Sequence, residues 1–259
     1  MISSIYHSYD HHLPQKIKDA VTLAIEEGGN AHGNIKVFFR ADDIGVPSKN
    51  YNRMMGLFFK YRTPLCLAVV PAWMTRVRWE AMDEFHEKTD NLFCWHMHGY
   101  RHMNHETQGK KQEFGPARSS MALLNDLSKG HDRLGFIMGE KFTQVFTPPW
   151  NRCCPETLKI LKQIGFKGIS ASHSSLSLTP VGLKAFPVHV DLHTRKEKQA
   201  KQGWQTLLAE FEQGMASRAC GIMIHHMRMN PQAFVFLEYL LECLGRYKQI
   251  AIVTYKDLI

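Results

Sequence analysis

The chain has 259 residues, of which 44% are hydrophobic and 22% are charged. That balance is typical of a folded globular protein, and it excludes a disordered chain, a collagen and a coiled coil. Basic side chains outnumber acidic ones by 32 to 24, a formal net charge of +8, and no apolar run approaches the roughly 20 residues of a membrane-spanning helix.

Short apolar runs alternate with amphipathic stretches along the first half of the chain. An unbroken apolar run indicates a buried strand, and apolar residues three or four apart indicate a helix. The predicted elements are a strand over 35–40, a helix over 48–61, strands over 65–71 and 92–95, a helix over 119–138 and a strand at 145–146.

The same alternation continues after the diproline Pro148-Pro149, which interrupts any regular element. The predicted elements there are a helix over 155–164, strands over 167–171 and 185–191, a helix over 204–215, a strand over 222–225, a helix over 231–244 and a strand over 250–255. Seven or eight strand–helix alternations predict a parallel sheet, and the chain length favours a closed α/β barrel. Without an internal repeat or a linker, the sequence predicts a single domain over 1–259.

Polar side chains gather where the predicted strands end. In an α/β barrel these carboxyl ends form the face that holds the active site. The residues concerned are Asp42 and Asp43, His98 and His102, Pro148 to Asn151, Asp191, and His225 with His226. Their shared position, more than any single residue, predicts an active site.

Asp42 and Asp43 follow the first predicted strand. Adjacent residues on an extended chain point in different directions, so the two carboxylates can serve as general base and as metal ligand. A capping or turn role for the pair is the alternative. His98 and His102 favour a metal site, because imidazoles four residues apart on a helical turn share one face and suit chelation of one divalent ion.

A carboxylate from another strand would complete a His₂-carboxylate set that leaves positions for water and substrate. A second pattern overlaps this one, since His96 and His98 form an HxH at a strand end. That pattern favours an amidohydrolase-type metal hydrolase, in which His96 and His98 would be the ligands.

His225 ends the apolar strand GIMIH and is the first residue of that strand able to reach the mouth of a barrel. A core histidine bonded to a backbone carbonyl is the alternative, and the adjacent His226 competes for the same role. Trp150 follows the rigid diproline. It can pack in the core, or it can line a substrate groove, where an aromatic face suits a sugar ring.

In this order the residues resemble the motifs of the NodB-homology polysaccharide deacetylases, the carbohydrate esterase family 4 (CE4) group that removes N- or O-acetyl groups from sugars. The matching segments are Arg40-Ala41-Asp42-Asp43, His98 to His102 (HGYRH), Thr147-Pro148-Pro149-Trp150, Asp191, and Ile222 to His225. They cover most of the chain, with a motif core over 35–226.

The resemblance implies a distorted (β/α)7 barrel and a metal-dependent deacetylase acting on an acetylated carbohydrate. By resemblance, Asp42 is the general base and His225 the general acid. Asp43, His98 and His102 are the ligands of one divalent metal ion. Zinc is the first expectation for such nitrogen and oxygen ligands, although manganese, cobalt, nickel or iron would also fit.

Substrate binding is expected around the diproline segment and the fourth motif. Trp150 would present its backbone N–H to the oxyanion that forms during hydrolysis. The other expected substrate-binding residues are Pro149, Asn151 and Asp191.

Two positions depart from the family motifs. Gly99 stands where the histidine motif usually has Ser or Thr. Thr147 stands where an arginine usually steadies the base carboxylate, and Arg40, Arg101 and Arg152 are the arginines that could replace it. A degenerate barrel that binds sugar or metal without turnover is therefore the non-enzymatic alternative.

The sequence also bears on the substrate, the partners and the location of the protein. The segments HGYRHMNH and EFG (113–115) indicate a divergent branch whose substrate need not be a chitin-like polymer. No nucleic-acid-binding motif, secretory signal or CxxC pair is found. We therefore expect a cytoplasmic location, with neither a nucleic-acid nor a membrane partner.

Overall fold

A computed structural model describes residues 1–30, 33–83 and 92–259. Its helices are α1 (Gln15–Asn30), α2 (Lys49–Lys60), α3 (Arg76–Asp83), α4 (Ser120–Met138), α5 (Pro155–Gln163), α6 (His173–Leu176), α7 (Ala200–Ala216) and α8 (Pro231–Gly245). Its strands are β1 (Ile35–Ile44), β2 (Leu65–Val69), β3 (Phe93–His98), β4 (Phe142–Thr147), β5 (Gly168–Ser172), β6 (Lys184–Asp191), β7 (Ala219–Ile224) and β8 (Ile250–Ile252).

The strands and helices predicted from the sequence are present, with ends that differ by up to four residues. Strand β1 is longer than expected and includes Asp42 and Asp43, and β3 runs on through His98. The sequence did not lead us to expect α1, α3 and α6. Helix α1 nevertheless carries the helical signal, because Ile17, Val21 and Ile25 are four residues apart and buried.

The eight described strands belong to one sheet, in the order β2-β3-β4-β5-β6-β7-β1-β8, and β2 also pairs with β1. The pairing of β1 with β2 closes a ring of seven strands, and β8 pairs with the first residues of β1. The pairings of β1 with β7, β3 with β4, β4 with β5, and β5 with β6 are all parallel. This closed parallel order confirms the predicted (β/α)7 barrel.

Burial explains the sequence of the strands. All residues of β2 and β3 are buried, as are most of those in β1. Strands of a parallel barrel have both faces covered, so they read as unbroken apolar runs rather than as an alternating pattern. Asp42, Asp43 and His98 lie at the carboxyl ends of two such strands.

Helix α2 shows how local sequence sets the ends of an element. The Ser48 side chain accepts a hydrogen bond from the Tyr51 N–H at 3.1 Å and caps the helix. Tyr51, Met54 and Phe58 then form a buried stripe at helical spacing. In the part of the chain that the structure describes, no helix is long and apolar enough to cross a lipid bilayer.

The described chain forms two compact units, each assembled from separate segments. The first comprises Met1–Ala41, Ser48–Leu65 and His189–Val253, and the second comprises Asp42–Pro47, Cys66–Val188 and Thr254–Ile259. Strands β1, β2 and β6 each begin in one unit and end in the other. The single domain over 1–259 stays a prediction.

Candidate metal centre and its surroundings

Three side chains of the second unit converge at the ends of β1 and β3. Oδ1 of Asp43 lies 3.4 Å from Nε2 of His98 and 3.2 Å from Nε2 of His102. One ligand atom from each of the three residues lies within 4.8 Å of the other two. His98 is 1% exposed, which withdraws its ring from solvent. The residues that the sequence proposes as metal ligands thus form one cluster.

The path from His98 to His102 is not the helical turn that their spacing suggested. His98 ends β3, and the chain then passes through Gly99 at φ 56° and reaches His102 at φ 59°. These values lie in the left-handed region, which helices do not use and which most side chains disfavour. The expectation of a helical turn is therefore wrong, because a tight loop with two left-handed residues brings the rings together.

The main chain of Thr147 orients the ring of His98. Nδ1 of His98 lies 3.0 Å from the main-chain oxygen of Thr147. A carbonyl oxygen only accepts hydrogen bonds, so Nδ1 carries a proton and Nε2 is the ring nitrogen that faces Asp43. Metal-binding histidines are usually oriented by such a bond from their other ring nitrogen.

His96, the other histidine of the HxH pattern, lies elsewhere. Its Nε2 is 3.0 Å from the hydroxyl of Thr147, and its ring meets Tyr255 edge-on at 4.9 Å between centroids. Its side chain is fully buried. Since the cluster with Asp43 contains His102 and not His96, the geometry favours the His98–His102 pair over the HxH pair.

Two tryptophans border the cluster. The ring of His102 lies 4.6 Å from that of Trp150 and 5.8 Å from that of Trp73, measured between centroids. Both tryptophans are half-buried, so part of each ring faces solvent beside the cluster. No sequence motif contains Trp73, but it lies in the segment that follows β2, at the same end of the sheet as Asp43 and His98.

The two histidines of the cluster titrate in opposite directions. Burial lowers the pKa of His98, but the hydrogen bond with Asp43 and the charges of Asp42 and Asp43 outweigh it and raise that pKa overall. Burial and the charge of His98 lower the pKa of His102, against the attraction of Asp43. One imidazole thus holds a proton more strongly than an ordinary histidine, and the other holds it less strongly.

The donor set fits a divalent cation. One carboxylate oxygen and two imidazole nitrogens are the ligands of catalytic zinc sites, where three protein ligands leave a position for water or substrate. In the described ranges, no other group of three His, Cys, Asp or Glu side chains is arranged this closely. The residues present can therefore hold the metal that the resemblance implies.

Asp42 lies next to this cluster along β1. It is 3% exposed, and its charge contributes to the raised pKa of His98. A carboxylate beside a candidate metal site is in the position expected of a general base.

The three arginines that could replace the missing motif arginine have different environments. Arg40 is fully buried, and its guanidinium donates to the sulfur of Met223 at 3.0 Å. Arg101 is exposed and lies over the ring of Tyr100, at 5.3 Å from its centroid. Arg152 is half-buried and donates to the carbonyl oxygen of Lys111 at 3.3 Å.

The segment after β4 is conformationally unusual. Trp150 and Asn151 adopt φ values of 56° and 58°, two consecutive left-handed residues directly after the diproline. The hydroxyl of Ser175 donates to the carbonyl oxygen of Asn151 at 2.7 Å and helps to hold this turn. Left-handed backbone at non-glycine residues costs free energy and clusters at functional sites, and substrate binding by this segment stays a prediction.

Asp191, in the first unit, is bound within its own turn. Its Oδ1 accepts the backbone N–H groups of His193 and Thr194 at 3.0 and 2.9 Å, and its Oδ2 accepts the Thr194 hydroxyl. Asp191 also lines a surface cleft of about 600 Å³ with charged neighbours that include Arg195 and Glu210. Its carboxylate therefore shapes the loop after β6.

Two histidines follow β7 in the same unit. His225 is the first residue after the strand and is half-buried, whereas His226 is 1% exposed. The main-chain N–H of His225 donates to Nδ1 of His193 at 3.2 Å. His193 is itself 1% exposed, and burial, with the charges of His225 and His226, holds its pKa well below the usual range. No sequence motif contains His193.

Comparison with solved structures places the fold among the CE4 deacetylases. No protein-family profile matches the chain, and no curated protein is similar to it in sequence. The fold is nevertheless shared with a protein from Mycobacterium smegmatis assigned as a polysaccharide deacetylase, at a TM-score of 0.62 and 14% identity over 88% of this chain and 90% of that one.

Two further structures extend the comparison. The CE4 domain of a multidomain xylanase from the hindgut metagenome of Trinervitermes trinervoides matches at a TM-score of 0.58, with 13% identity over 87% of this chain and 89% of that one. A CE4 family pseudoenzyme from Bacillus anthracis matches at 0.52, with 13% identity over 86% and 66%. The chain therefore has the CE4 deacetylase fold, as its motifs predicted.

Proposed function

We propose that this protein is a metal-dependent deacetylase that hydrolyses an N- or O-acetyl group on a carbohydrate or sugar-like substrate. The observation that carries the proposal is the convergence of Asp43, His98 and His102, with buried Asp42 beside them, on the CE4 deacetylase fold. These residues are the ones that match the family motifs in the sequence. We also propose that the protein acts in the cytoplasm, without a nucleic-acid or membrane partner.

Asp43, His98 and His102 would hold one divalent ion, with zinc the first candidate and manganese, cobalt, nickel or iron as alternatives. When bound, such an ion polarises a carbonyl group and lowers the pKa of water from 15.7 towards about 7. The hydrogen bond from His98 to Thr147 keeps the Nε2 lone pair of that ring available.

Asp42 is the proposed general base and His225 the proposed general acid. Strands β1 and β7 are paired as far as Ala41 and Ile224, and the next residues of the two strands are Asp42 and His225. Asp42 would take a proton from the attacking water as the water oxygen bonds to the acyl carbon. His225 would give a proton to the sugar nitrogen or oxygen as the bond between that atom and the acyl carbon breaks, which yields acetate and the free amine or alcohol.

The substrate would lie against the segment after β4. The backbone N–H of Trp150 would face the developing oxyanion, and its ring would contact the sugar together with Pro149. The left-handed turn that contains Asn151 supports this placement. Asp191 would contribute to substrate binding by holding the loop after β6, because its carboxylate already accepts the hydrogen bonds of its own turn.

A protein that binds sugar or metal without turnover is the second candidate. The observation in its favour is Thr147 at the position of the arginine that usually steadies the base. The CE4 pseudoenzyme from Bacillus anthracis has the same fold, so the fold alone does not separate the two candidates.

The experiment is hydrolysis by the purified full chain. We would measure acetate release from N-acetylated chito-oligosaccharides and from O-acetylated xylan, after loading with zinc and after treatment with a chelator. Metal-dependent release that Asp42→Asn abolishes supports the deacetylase. Metal binding with no release from any acetylated sugar supports the non-enzymatic candidate instead.

A further inference from the structure

Glu113 lies behind the loop that joins the two proposed histidine ligands. Its Oε2 accepts the backbone N–H of Tyr100 at 3.1 Å, and its Oε1 accepts that of Arg101 at 2.6 Å. Glu113 is 0% exposed, so these bonds are shielded from water and stronger than they would be on the surface.

Gly99 leaves the space that the Glu113 carboxylate occupies. A Cβ atom on Gly99 would overlap Oε2 of Glu113 and would lie 2.5 Å from Cγ of Pro149. The left-handed φ of 56° at Gly99 also disfavours any side chain. The Ser or Thr that the histidine motif usually has at this position therefore does not fit, and the glycine makes room for Glu113.

The segment that carries Glu113 is itself anchored. Phe114, the next residue, is fully buried and forms a parallel bridge with Cys153. Its carbonyl oxygen accepts the Cys154 N–H at 2.9 Å and the Thr157 hydroxyl at 3.0 Å. The segment of Glu113 is thus anchored to the residues between β4 and α5, while the Glu113 carboxylate binds the backbone of Tyr100 and Arg101.

The geometry points to Glu113 as a positioning residue for the metal centre, one that fixes the left-handed loop so that His98 and His102 both face Asp43. The inference rests on the proposed function, since it assumes that these three residues bind a metal. The Glu113 carboxylate accepts from successive backbone N–H groups of one loop, and such charge-assisted hydrogen bonds are stronger than neutral ones. Glu113 lies outside the five motif segments, which is why the resemblance does not assign it a role.

The test is metal binding by the full chain in the absence of substrate. Apoprotein would be titrated with Co²⁺ and with Zn²⁺, and the visible spectrum of the Co²⁺ form would report the ligand geometry. We expect Glu113→Ala to weaken binding by about 10- to 100-fold, the usual cost of losing a group that orients a ligand, and to change the Co²⁺ spectrum. Glu113→Gln, which keeps one oxygen acceptor, should lie between the wild type and Glu113→Ala.

Glu106→Gln is the matched control. Glu106 is a carboxylate of the same loop region, and its Oε1 accepts the Ala117 N–H at 3.2 Å, away from the ligands. Its replacement should leave the affinity and the spectrum within about twofold of the wild type. A role in stability alone would lower the melting temperature of a Glu113 variant without moving its spectrum.

The outcomes separate this inference from the proposed function. If Glu113→Gln folds and binds Co²⁺ with the wild-type affinity and spectrum, the positioning role is wrong, whether or not Glu113→Ala folds. If the wild type binds metal and Glu113→Gln binds it weakly, but no acetylated sugar is hydrolysed, Glu113 positions the site and the deacetylase proposal fails. If the wild type binds no metal, both proposals fail.

Discussion

Nδ1 of His98 lies 3.0 Å from the main-chain oxygen of Thr147. The bond uses the backbone, so it does not depend on the side chain at position 147, where an arginine is usual. It orients the opposite nitrogen, Nε2, towards Asp43 at 3.4 Å. Thr147 in place of the motif arginine thus leaves this hydrogen bond intact, and the resemblance implies that the replacement bears on the proposed base, Asp42.

The first prediction tests the ligand set. His98→Ala should lose the divalent ion. The affinity should decrease by more than about 100-fold, which is the upper cost of losing a residue that only orients a ligand. His105→Ala is the control, because His105 lies in the same loop region but outside the cluster. Metal content after gel filtration would decide. A His105 variant without metal, beside a His98 variant that retains it, would show that the ligand assignment is wrong.

The second prediction concerns the general base. Asp42→Asn has nearly the same volume but cannot accept a proton at neutral pH, so it should keep the metal and lose about 10²–10⁴-fold in turnover. Acetate release and metal content would be measured on the same preparation. Turnover close to the wild type would assign the base role to another group.

The third prediction separates His225 from His226. A general acid must carry a proton, so activity should fall at alkaline pH, and His225→Ala should abolish that fall together with most of the turnover. His226 is 1% exposed, and its replacement should lower stability more than activity. If His226→Ala is inactive while His225→Ala retains its pH profile, the two roles are exchanged.

The fourth prediction follows from the buried His193. Burial lowers its pKa far below the ordinary value of about 6.5, so the unfolded chain binds a proton that the folded chain does not. The free energy of unfolding is therefore unaffected by His193 above pH 6.5. Below that pH it falls by about 1.4 kcal/mol per pH unit, because protonation of the ring favours the unfolded chain.

Urea unfolding between pH 7.5 and 5.5 would measure this loss for the wild type and for His193→Asn. The variant should be less stable at neutral pH, because the His225 N–H loses its imidazole acceptor, and its free energy of unfolding should fall less steeply on acidification. His12→Asn, at an exposed position, is the control and should follow the wild-type slope. An unchanged slope in His193→Asn would contradict the prediction.

The fifth prediction identifies the arginine that replaces the missing one. Arg40 is buried and lies two residues before Asp42 on β1, where alternating side chains share one face. Arg40→Lys keeps the charge but loses the planar guanidinium, and it should lower turnover by about 10²-fold, the scale of a small misplacement. Arg101→Ala and Arg152→Ala should stay near the wild type. A loss confined to either of these two would assign the role to that arginine.

Sequence alone predicted the fold class and most of the candidate site. Strands such as β2 and β3 are buried throughout, so their apolar runs stand out without knowledge of their partners. The carboxyl ends of such runs mark the face where an α/β barrel holds its site, and Asp42, Asp43 and His98 lie at those ends. Helix α1 was missed although its periodic pattern is present in the sequence.

What only the tertiary structure decided is how residues far apart in the chain meet. The spacing of His98 and His102 suggested a helical turn, but the backbone is left-handed at Gly99 and His102. The N–H groups between them donate to Glu113, which lies outside the motif. The carbonyl of Thr147 that orients His98 comes from the neighbouring strand. Local sequence determines which residues are apolar and where strands end, whereas a hydrogen bond between distant segments depends on the packing that brings its two groups together.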